Sequence, residues 1–252
     1  MHITSCGMTD VGLKRGHNED NFLINEELNL YVVADGMGGH AGGEYASAIC
    51  VNTIEEIVTS IELNDQSEVD SDDPVEVARE RLRYALRLAG RRIFEKAAQD
   101  EEYHGMGTTA VALLVDGPNA VVAHVGDSRL YLLRDGKIQQ VTEDHSFVAR
   151  QVKAGVMTED DAKTHRMRNV IYRSLGYQED VEVDVQVIAV RKNDRFLLCS
   201  DGLTGHVEDP ELSELMVKHG SQDATRRLIE LACERGGDDN ITVVIARIED
   251  VS

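Results

Sequence analysis

The aspartates of this chain lie where apolar, strand-like runs end or begin. Asp35 follows the run YVVA, Asp127 follows AHVG, Asp201 follows LLCS, and Asp239 comes two residues before ITVVIA. A buried carboxylate costs several kcal/mol unless it is paired or bound to a cation. Two unit negative charges about 4 Å apart repel by about 4 kcal/mol at an effective dielectric of about 20. The pattern therefore predicts divalent cations at these strand ends, and oxygen ligands without a His/Cys set indicate Mg²⁺ or Mn²⁺.

The length and composition favour one compact unit. A chain of 252 residues is enough for one large domain or two small ones. Only 3 residues are proline and no low-complexity linker interrupts the chain, so we expect a single domain over residues 1–252. Hydrophobic residues make up 42% of the chain but aromatic residues only 4%, which predicts an aliphatic core.

The charge balance argues against several classes of partner. The formal net charge is -20, whereas binding to nucleic acid or to an anionic membrane needs a basic surface. A soluble, self-repelling surface explains this acidity better than a preference for basic partners. The first residues lack the apolar core of a signal peptide, and no run approaches the roughly 20 apolar residues of a membrane span. We therefore expect a cytoplasmic protein that binds neither nucleic acid nor membrane.

Two other groups of candidate ligands carry little weight. Cys6, Cys50, Cys199 and Cys233 are scattered and form no CxxC pair, which argues against a zinc or redox motif. Cys50 and Cys199 lie in apolar runs, so we expect buried thiols there. Residues 64–73 are acidic but lack the glycine and ligand spacing of a calcium loop, so we expect an exposed loop.

The hydrophobic pattern predicts strands that are mostly connected by hairpins and lie apart in sequence from the longer helices. The predicted strands are 29–36, 107–117, 119–136, 137–142, 181–190, 194–202 and 240–248, and the predicted helices are 43–61, 74–99, about 210–219 and 222–235. The pair Asp135-Gly136 marks a hairpin turn. This arrangement favours an α+β fold in which two antiparallel sheets are covered by helices.

Two short motifs carry further candidate site residues. In DGMGGH, the glycines after Asp35 let the backbone turn sharply, which leaves the Gly36 carbonyl available to a hard cation. In RGHNED, Arg15 offers a planar charged fork for a phosphate, and Glu19 and Asp20 add carboxylates. Each motif alone fits an ordinary turn or a solvated loop better. The ordered set of aspartates is what favours a site.

The whole series of motifs resembles the metal-dependent Ser/Thr protein phosphatases of type 2C, in their bacterial form. The segments that carry the resemblance run from about residue 9 to residue 248, and their combined order is far more specific than any one of them. They are RGHNED, VVADGMGGHAGGEYAS, GMGTTAVALLV, AHVGDSRLYLLRDGKIQQVTEDHS, NVIYRSLG, LLCSDGLTG and DDNITVVIA. The family fold is an α-β-β-α sandwich of two antiparallel sheets, in agreement with the pattern above.

The resemblance implies a role for each matching residue. Asp35 is expected to bridge two metal ions, the Gly36 carbonyl to bind the first, and Asp201 and Asp239 to bind the second. Asp127 matches an aspartate that holds a third ion together with Asp201. The remaining matches are Arg15 for the substrate phosphate, Glu19 and Asp20 for metal-bound waters, and Asn240 as a support behind Asp239.

The implied activity is hydrolysis of phosphoserine and phosphothreonine in proteins by a water that two Mn²⁺ or Mg²⁺ ions activate. The implied partners are phosphorylated proteins, including Ser/Thr kinases and their substrates, and the family default is a monomer. Residues 145–176 match the family's flap subdomain, and their basic bias suits either contact with acidic phosphopeptides or plain solvation. One departure is Met37, which stands where many eukaryotic members have a histidine that is a candidate general acid. We assign no acid role to the nearby His40.

Two alternatives remain beside an active protein phosphatase. A non-catalytic member of the same fold would be expected to lack one of the metal-binding aspartates, and all of them are present. A hydrolase of small phosphoesters would use a similar metal site and is separated only by its substrate. Cysteine-based phosphatases are excluded because no cysteine has an arginine six residues later, and no P-loop motif is present.

Overall fold

A computed structural model of the chain describes residues 1–38, 41–60 and 71–251. His40 and most of the predicted acidic loop, residues 64–70, lie outside the described residues. The prediction of a single domain over residues 1–252 and that of a flap subdomain at 145–176 stay predictions.

Two antiparallel sheets form the centre of the molecule. The first has the strand order β1-β11-β10-β7-β8, and the second has the order β2-β3-β5-β6-β9 with the short β4 paired to β3. The strands are β1 (His2–Asp10), β2 (Asp20–Asn25), β3 (Leu30–Met37), β4 (Gly107–Thr108), β5 (Ala110–Asp116), β6 (Asn119–Val125), β7 (Arg129–Arg134), β8 (Lys137–Gln140), β9 (Asp184–Ala189), β10 (Arg195–Cys199) and β11 (Ile241–Asp250).

Helices cover the outer face of each sheet. α1 (Ala41–Thr59) and α2 (Pro74–Gln99) pack on one sheet, and α5 (Asp201–Thr204), α6 (Asp209–Lys218) and α7 (Ser221–Glu234) pack on the other. The chain also forms α3 (Phe147–Lys153) and α4 (Glu159–Thr164), neither of which has a fully buried residue, and a 3₁₀ turn at Glu101–Tyr103. The start of α2 follows from its sequence. Asp73 caps the helix by accepting a hydrogen bond from Val75 N, and Pro74 occupies the first turn, where its missing N–H costs nothing.

The buried side chains divide into three apolar layers. One lies between the two sheets and includes Tyr31, Val122 and Phe196. A second joins the β2–β9 sheet to α1 and α2, and a third joins the β1–β8 sheet to α5, α6 and α7. Helix, sheet, sheet and helix therefore stack as four layers, which confirms the predicted α-β-β-α sandwich.

The predicted elements differ from the observed ones in a few places. The stretch 119–136 is two strands, because the backbone turns between Val125 and Arg129. The predicted hairpin between β7 and β8 is confirmed, with φ of 53° at Asp135 and 74° at Gly136. Strands β1 and β2 were not predicted. β1 is an edge strand whose half-exposed pattern gives little apolar signal.

Other expectations can be compared directly. Cys50 and Cys199 are buried thiols as predicted, and burial raises the pKa of each to about 12. In the described part of the chain, no helix combines the length and apolar composition that a membrane crossing needs.

Candidate functional site

An open cleft of about 540 Å³ lies at one end of the sandwich. The candidate metal ligands, the candidate phosphate-binding Arg15, and Glu19 and Asn240 all line this cleft. Among the predicted site residues only Asp20 does not, because it lies behind the cleft wall. The lining residues are Arg15, Gly16, His17, Glu19, Asp35, Gly36, Met37, Gly38, Thr109, Asp127, Asn169, Ile171, Asp201, Asp239 and Asn240.

Sheet topology explains why the aspartates converge. β10 and β11 are antiparallel neighbours, so Asp201 just after β10 and Asp239 just before β11 lie at the same end of the first sheet. β3 and β6 both pair antiparallel with β5, so they run in the same direction. Asp35 near the end of β3 and Asp127 just after β6 therefore reach the same end of the second sheet. The cleft lies between these two sheet ends, where the strands of both sheets begin or stop.

Asp20 is a buried carboxylate that links the two sheets behind the cleft. It lies opposite Asp35 in the β2–β3 pair, and its Oδ2 accepts hydrogen bonds from Ser200 Oγ at 2.8 Å and Thr242 Oγ1 at 2.6 Å. Burial raises its pKa to about 7 despite those two bonds. Among the described residues, no group donates to its Oδ1, although that oxygen is buried. One oxygen is thus available to water or to a cation.

Three aspartates that line the cleft, Asp35, Asp127 and Asp201, also have raised pKa values. Burial, with repulsion from Asp20 and Asp201, raises the pKa of Asp35 well above its ordinary value. Burial raises the pKa of Asp127 to about 8, with repulsion from Asp201. The pKa of Asp201 is raised by burial and by Asp239, and a hydrogen bond with Asp35 opposes that rise. The cluster is unfavourable without added positive charge.

The donor set fits hard divalent cations. Asp35, Asp127, Asp201 and Asp239 present oxygen atoms around one cleft, and behind it lies Asp20 Oδ1, for which the described residues offer no hydrogen-bond partner. Oxygen donors of this kind suit Mg²⁺ or Mn²⁺. The residues present are therefore able to hold such ions, whose charge would offset the repulsion between the carboxylates.

Gly36 is required by close packing beside Asp35. A side chain there would collide with the carbonyl oxygens of Gly43 and Glu19. Gly43 in turn lies against the Glu19 carboxylate, so that a side chain at Gly43 would displace it. These glycines let β3, the start of α1 and the segment before β2 approach one another at the cleft.

Asn240 holds the loop that carries Arg15. Its Oδ1 accepts the backbone N–H of Glu19 at 2.8 Å, and its Nδ2 donates to the carbonyls of Val11 at 3.0 Å and His17 at 2.9 Å. Asn240 is only 5% exposed, so these backbone groups have little access to water there. The side chain therefore fixes both ends of the loop over the edge of the cleft.

Arg15 lies at the rim of the cleft and faces the carboxylates. Its Nη2 is 2.6 Å from Asp239 Oδ2, and its side chain keeps 54% of its surface exposed. The hydrogen bond with Asp239 raises the pKa of Arg15, as do the charges of Glu19 and Asp35. The guanidinium is a permanently charged group that solvent and a bound anion can both reach.

A second group of candidate metal ligands lies outside the cleft. Ligand atoms of His124, His145 and Asp184 lie within 4.8 Å of one another. Arg173 already supplies the positive charge there, with Nη1 2.8 Å from Asp184 Oδ1 and 3.0 Å from His145 Nε2. Because a guanidinium fills this group, we assign it no metal ion.

Sequence analysis did not assign a role to Asn169 or Ile171, which line the cleft from the segment after α4. Their signal was the motif NVIYRSLG, which carried the resemblance but no chemistry of its own.

The basic residues nearby are partly neutralised within the chain. Lys153 is 2.7 Å from Glu143, and Arg173 is paired with Asp184 and Glu182. For these two cations an internal structural role accounts for the charge.

Comparison with known proteins gives one consistent result. The family model described as "Protein phosphatase 2C" matches residues 14–239. The chain is 38% identical over 242 residues to the serine/threonine protein phosphatase PstP of Mycobacterium tuberculosis. The aligned region covers 96% of this chain but only 44% of PstP. The chain is 36% identical over 241 residues to the serine/threonine phosphatase stp of Listeria welshimeri, covering 94% and 92% of the two chains.

A solved structure agrees with these sequence matches. The crystal structure of the catalytic domain of PstP in complex with 2 manganese ions superposes with a TM-score of 0.85 at 35% identity. It covers 98% of this chain and 99% of that one. This chain thus spans less than half of one curated relative and nearly all of the other.

Proposed function

The chain belongs to the protein phosphatase 2C family, and from that membership we propose that it hydrolyses phosphoserine and phosphothreonine in proteins. The observation that carries the proposal is the convergence of Asp35, Asp201 and Asp239 on one cleft with Arg15 at its rim. The relatives' names and the two manganese ions of the related catalytic domain support the same activity.

The proposed metal ligands are Asp35, the Gly36 carbonyl, Asp201 and Asp239 for two core Mn²⁺ or Mg²⁺ ions. Asp127 is the proposed ligand of a third ion, together with Asp201. When bound, such ions supply positive charge to the phosphoryl group and lower the pKa of a water molecule. The support for this assignment is the oxygen-only donor set and the raised pKa values of Asp20, Asp35 and Asp127.

The proposed role of Arg15 is to bind the phosphoryl oxygens of the substrate. Its planar fork forms paired, charge-assisted hydrogen bonds with a phosphate, and its exposure leaves it accessible to one. Glu19, in the cleft lining, and Asp20, through its buried Oδ1 behind the wall, are proposed to accept hydrogen bonds from metal-bound water. Asn240 supports both functions because it holds Glu19 and the loop that carries Arg15.

We further propose that the substrates are phosphorylated proteins, including Ser/Thr kinases and their targets, and that the protein acts as a cytoplasmic monomer. The whole chain is proposed to be one catalytic domain with a flap at residues 145–176. The segment that contributes Asn169 and Ile171 to the cleft supports a role for the flap beside the substrate.

The experiment that tests this function compares two classes of substrate. Phosphate release from a phosphothreonine peptide is measured with Mn²⁺, with Mg²⁺ and with EDTA, next to sugar phosphates and nucleotides at equal concentration. We expect metal-dependent release from the peptide with the higher kcat/KM. A preference for the small phosphoesters would favour the other kind of hydrolase, and a folded protein with no activity on either would favour a non-catalytic member.

A further inference from the structure

His145 holds the backbone of Gly126, which directly precedes the cleft-lining Asp127, by two hydrogen bonds. Its Nδ1 accepts the backbone N–H of Gly126 at 3.0 Å, and its own backbone N–H donates to the Gly126 carbonyl at 2.9 Å. Both backbone groups of Gly126 are therefore satisfied by a single residue. Gly126 directly precedes Asp127, whose carboxylate lines the cleft.

The turn at Gly126 has little freedom to adopt another conformation. Its φ of 106° is one that residues with a side chain rarely adopt, and a Cβ there would collide with Thr109. On the far side of Asp127, the hydroxyls of Ser128 and Thr109 are 2.7 Å apart. Next along the chain, the guanidinium of Arg129 donates to Asp144. The direction of the Asp127 side chain thus depends on contacts made by its neighbours.

The ring of His145 is itself fixed in one orientation. Its side chain is 3% exposed, and the ring stacks on His124 with 4.8 Å between centroids. The bond from Gly126 requires Nδ1 to be without a hydrogen, so the hydrogen of the neutral ring is then on Nε2, with Asp184 Oδ2 3.4 Å away as its acceptor. The guanidinium of Arg173 is also a donor and lies 3.0 Å from Nε2, so it competes with Gly126 for the single acceptor nitrogen of the ring, and its charge opposes a second positive charge there. The tautomer with hydrogen on Nε2 is the one that binds Gly126.

The backbone of His145 also joins the turn to another part of the cleft wall. Its carbonyl accepts the N–H of Tyr172 at 2.9 Å, and Ser146 forms a bridge with Ile171, a lining residue. One residue thus contacts the turn before Asp127 on one side and the segment around Ile171 on the other.

We propose that His145 is a positioning residue of the phosphatase reaction: its ring holds the Gly126 peptide so that Asp127 faces the cleft, and its backbone ties that turn to the Ile171 segment. The inference rests on the proposed function, since Asp127 matters for turnover only if the cleft is the active site. His145 touches no reacting group and acts through Asp127.

Two substitutions separate the hydrogen bond from packing. His145→Asn keeps an acceptor near the position of Nδ1, whereas His145→Gln keeps a donor near the position of Nε2 and offers Gly126 nothing. We expect His145→Gln to lower kcat about tenfold, the effect of one lost buried hydrogen bond, with little change in KM. We expect His145→Asn to recover most of that loss. His104→Gln, at an exposed histidine that does not line the cleft, is the control and should retain kcat close to wild type.

A double variant tests whether the effect passes through Asp127. If it does, adding His145→Gln to Asp127→Ala lowers kcat no further than Asp127→Ala alone. Losses that multiply would overturn the proposal, as would wild-type kcat in Asp127→Ala. Equal loss in the Asn and Gln variants would also contradict it, because packing alone would then explain the effect.

Two measurements by NMR need no activity. In EDTA, hydrogen exchange at the Gly126 amide should be about tenfold faster in His145→Gln than in wild type and unchanged in His145→Asn. In the wild-type protein, ¹⁵N shifts should show Nδ1 of His145 unprotonated and Nε2 protonated. A protonated Nδ1 would overturn the proposal even if the variants fail to fold. If the wild-type enzyme lacks phosphatase activity, the proposed function fails by itself, while these two measurements still decide the contact.

Discussion

The guanidinium of Arg15 donates to the carboxylate of Asp239 across the rim of the cleft, with Nη2 2.6 Å from Oδ2. The two residues are 224 positions apart, and Asn240 beside Asp239 holds the loop of Arg15 at both ends. The loop before β2 and the start of β11 therefore form one unit at the cleft. The only guanidinium among the lining residues of the described chain is thus aimed at its carboxylates.

Arg15→Ala should mainly weaken substrate binding. A hydrogen bond to a charged group is worth roughly 1.5–3 kcal/mol, so we expect KM for a phosphothreonine peptide to rise about 10- to 100-fold, with a smaller change in kcat. Lys14→Ala, which removes the neighbouring cation that does not line the cleft, is the control. A fall in kcat at unchanged KM would contradict a role in binding phosphate.

Asn240→Ala should destabilise the protein and loosen the Arg15 loop. The substitution leaves one N–H and two carbonyl groups without their partner, and each poorly solvated polar group costs about 1–3 kcal/mol. We expect a lower midpoint in urea unfolding together with a raised KM. Wild-type stability would show that water replaces these bonds without cost.

Stability in EDTA should fall as the pH rises. The pKa values of Asp20 and Asp127 in the folded chain are about 7 and about 8, above the ordinary value of 3.8. The folded state therefore binds more protons than the unfolded state, and stability is full at acidic pH. It should decrease by about 1.4 kcal/mol per pH unit for each carboxyl, from about pH 4 up to about pH 7 for Asp20 and up to about pH 8 for Asp127.

Saturating Mn²⁺ should remove most of this dependence, because cations replace the protons. The measurement is the thermal midpoint against pH, with EDTA and with Mn²⁺. The double variant Asp20→Asn with Asp127→Asn should show a flatter profile in EDTA than the wild type. A midpoint in EDTA that rises toward pH 8 in the wild type would contradict the carboxylate cluster as described.

Sequence analysis predicted most of the architecture because apolar strands and long helices have strong patterns. The helix over 74–99 coincides with α2, since Asp73 and Pro74 mark its start. Strand β1 was missed because it lies at a sheet edge, where β11 is its one partner among the described strands, and its sequence lacks a continuous apolar run. β1 is held in place by pairing with β11, which is more than 200 residues away along the chain, and a local sequence pattern does not reveal such a pairing.

The site divides in the same way. The aspartates were found because each stands beside a buried strand, and the structure brings them to one cleft. The depth of Asp20 behind that cleft, with Ser200 and Thr242 as its partners, depends on how the two sheets face each other. The contact between His145 and Gly126 joins residues 19 positions apart through a turn that no spacing rule predicts.

The central claim is that the aspartate cleft binds the metal ions on which phosphatase activity depends. The most direct measurement is phosphate release from a phosphothreonine peptide by the wild type, Asp35→Asn and Asp239→Ala, each with Mn²⁺, with Mg²⁺ and with EDTA. Asp116→Asn, at an exposed position at the end of β5, is the control. We predict metal-dependent release by the wild type and the control, no detectable release by the two cleft variants, and thermal midpoints in EDTA for those variants at or above wild type. Full metal-dependent activity in Asp239→Ala would contradict the account.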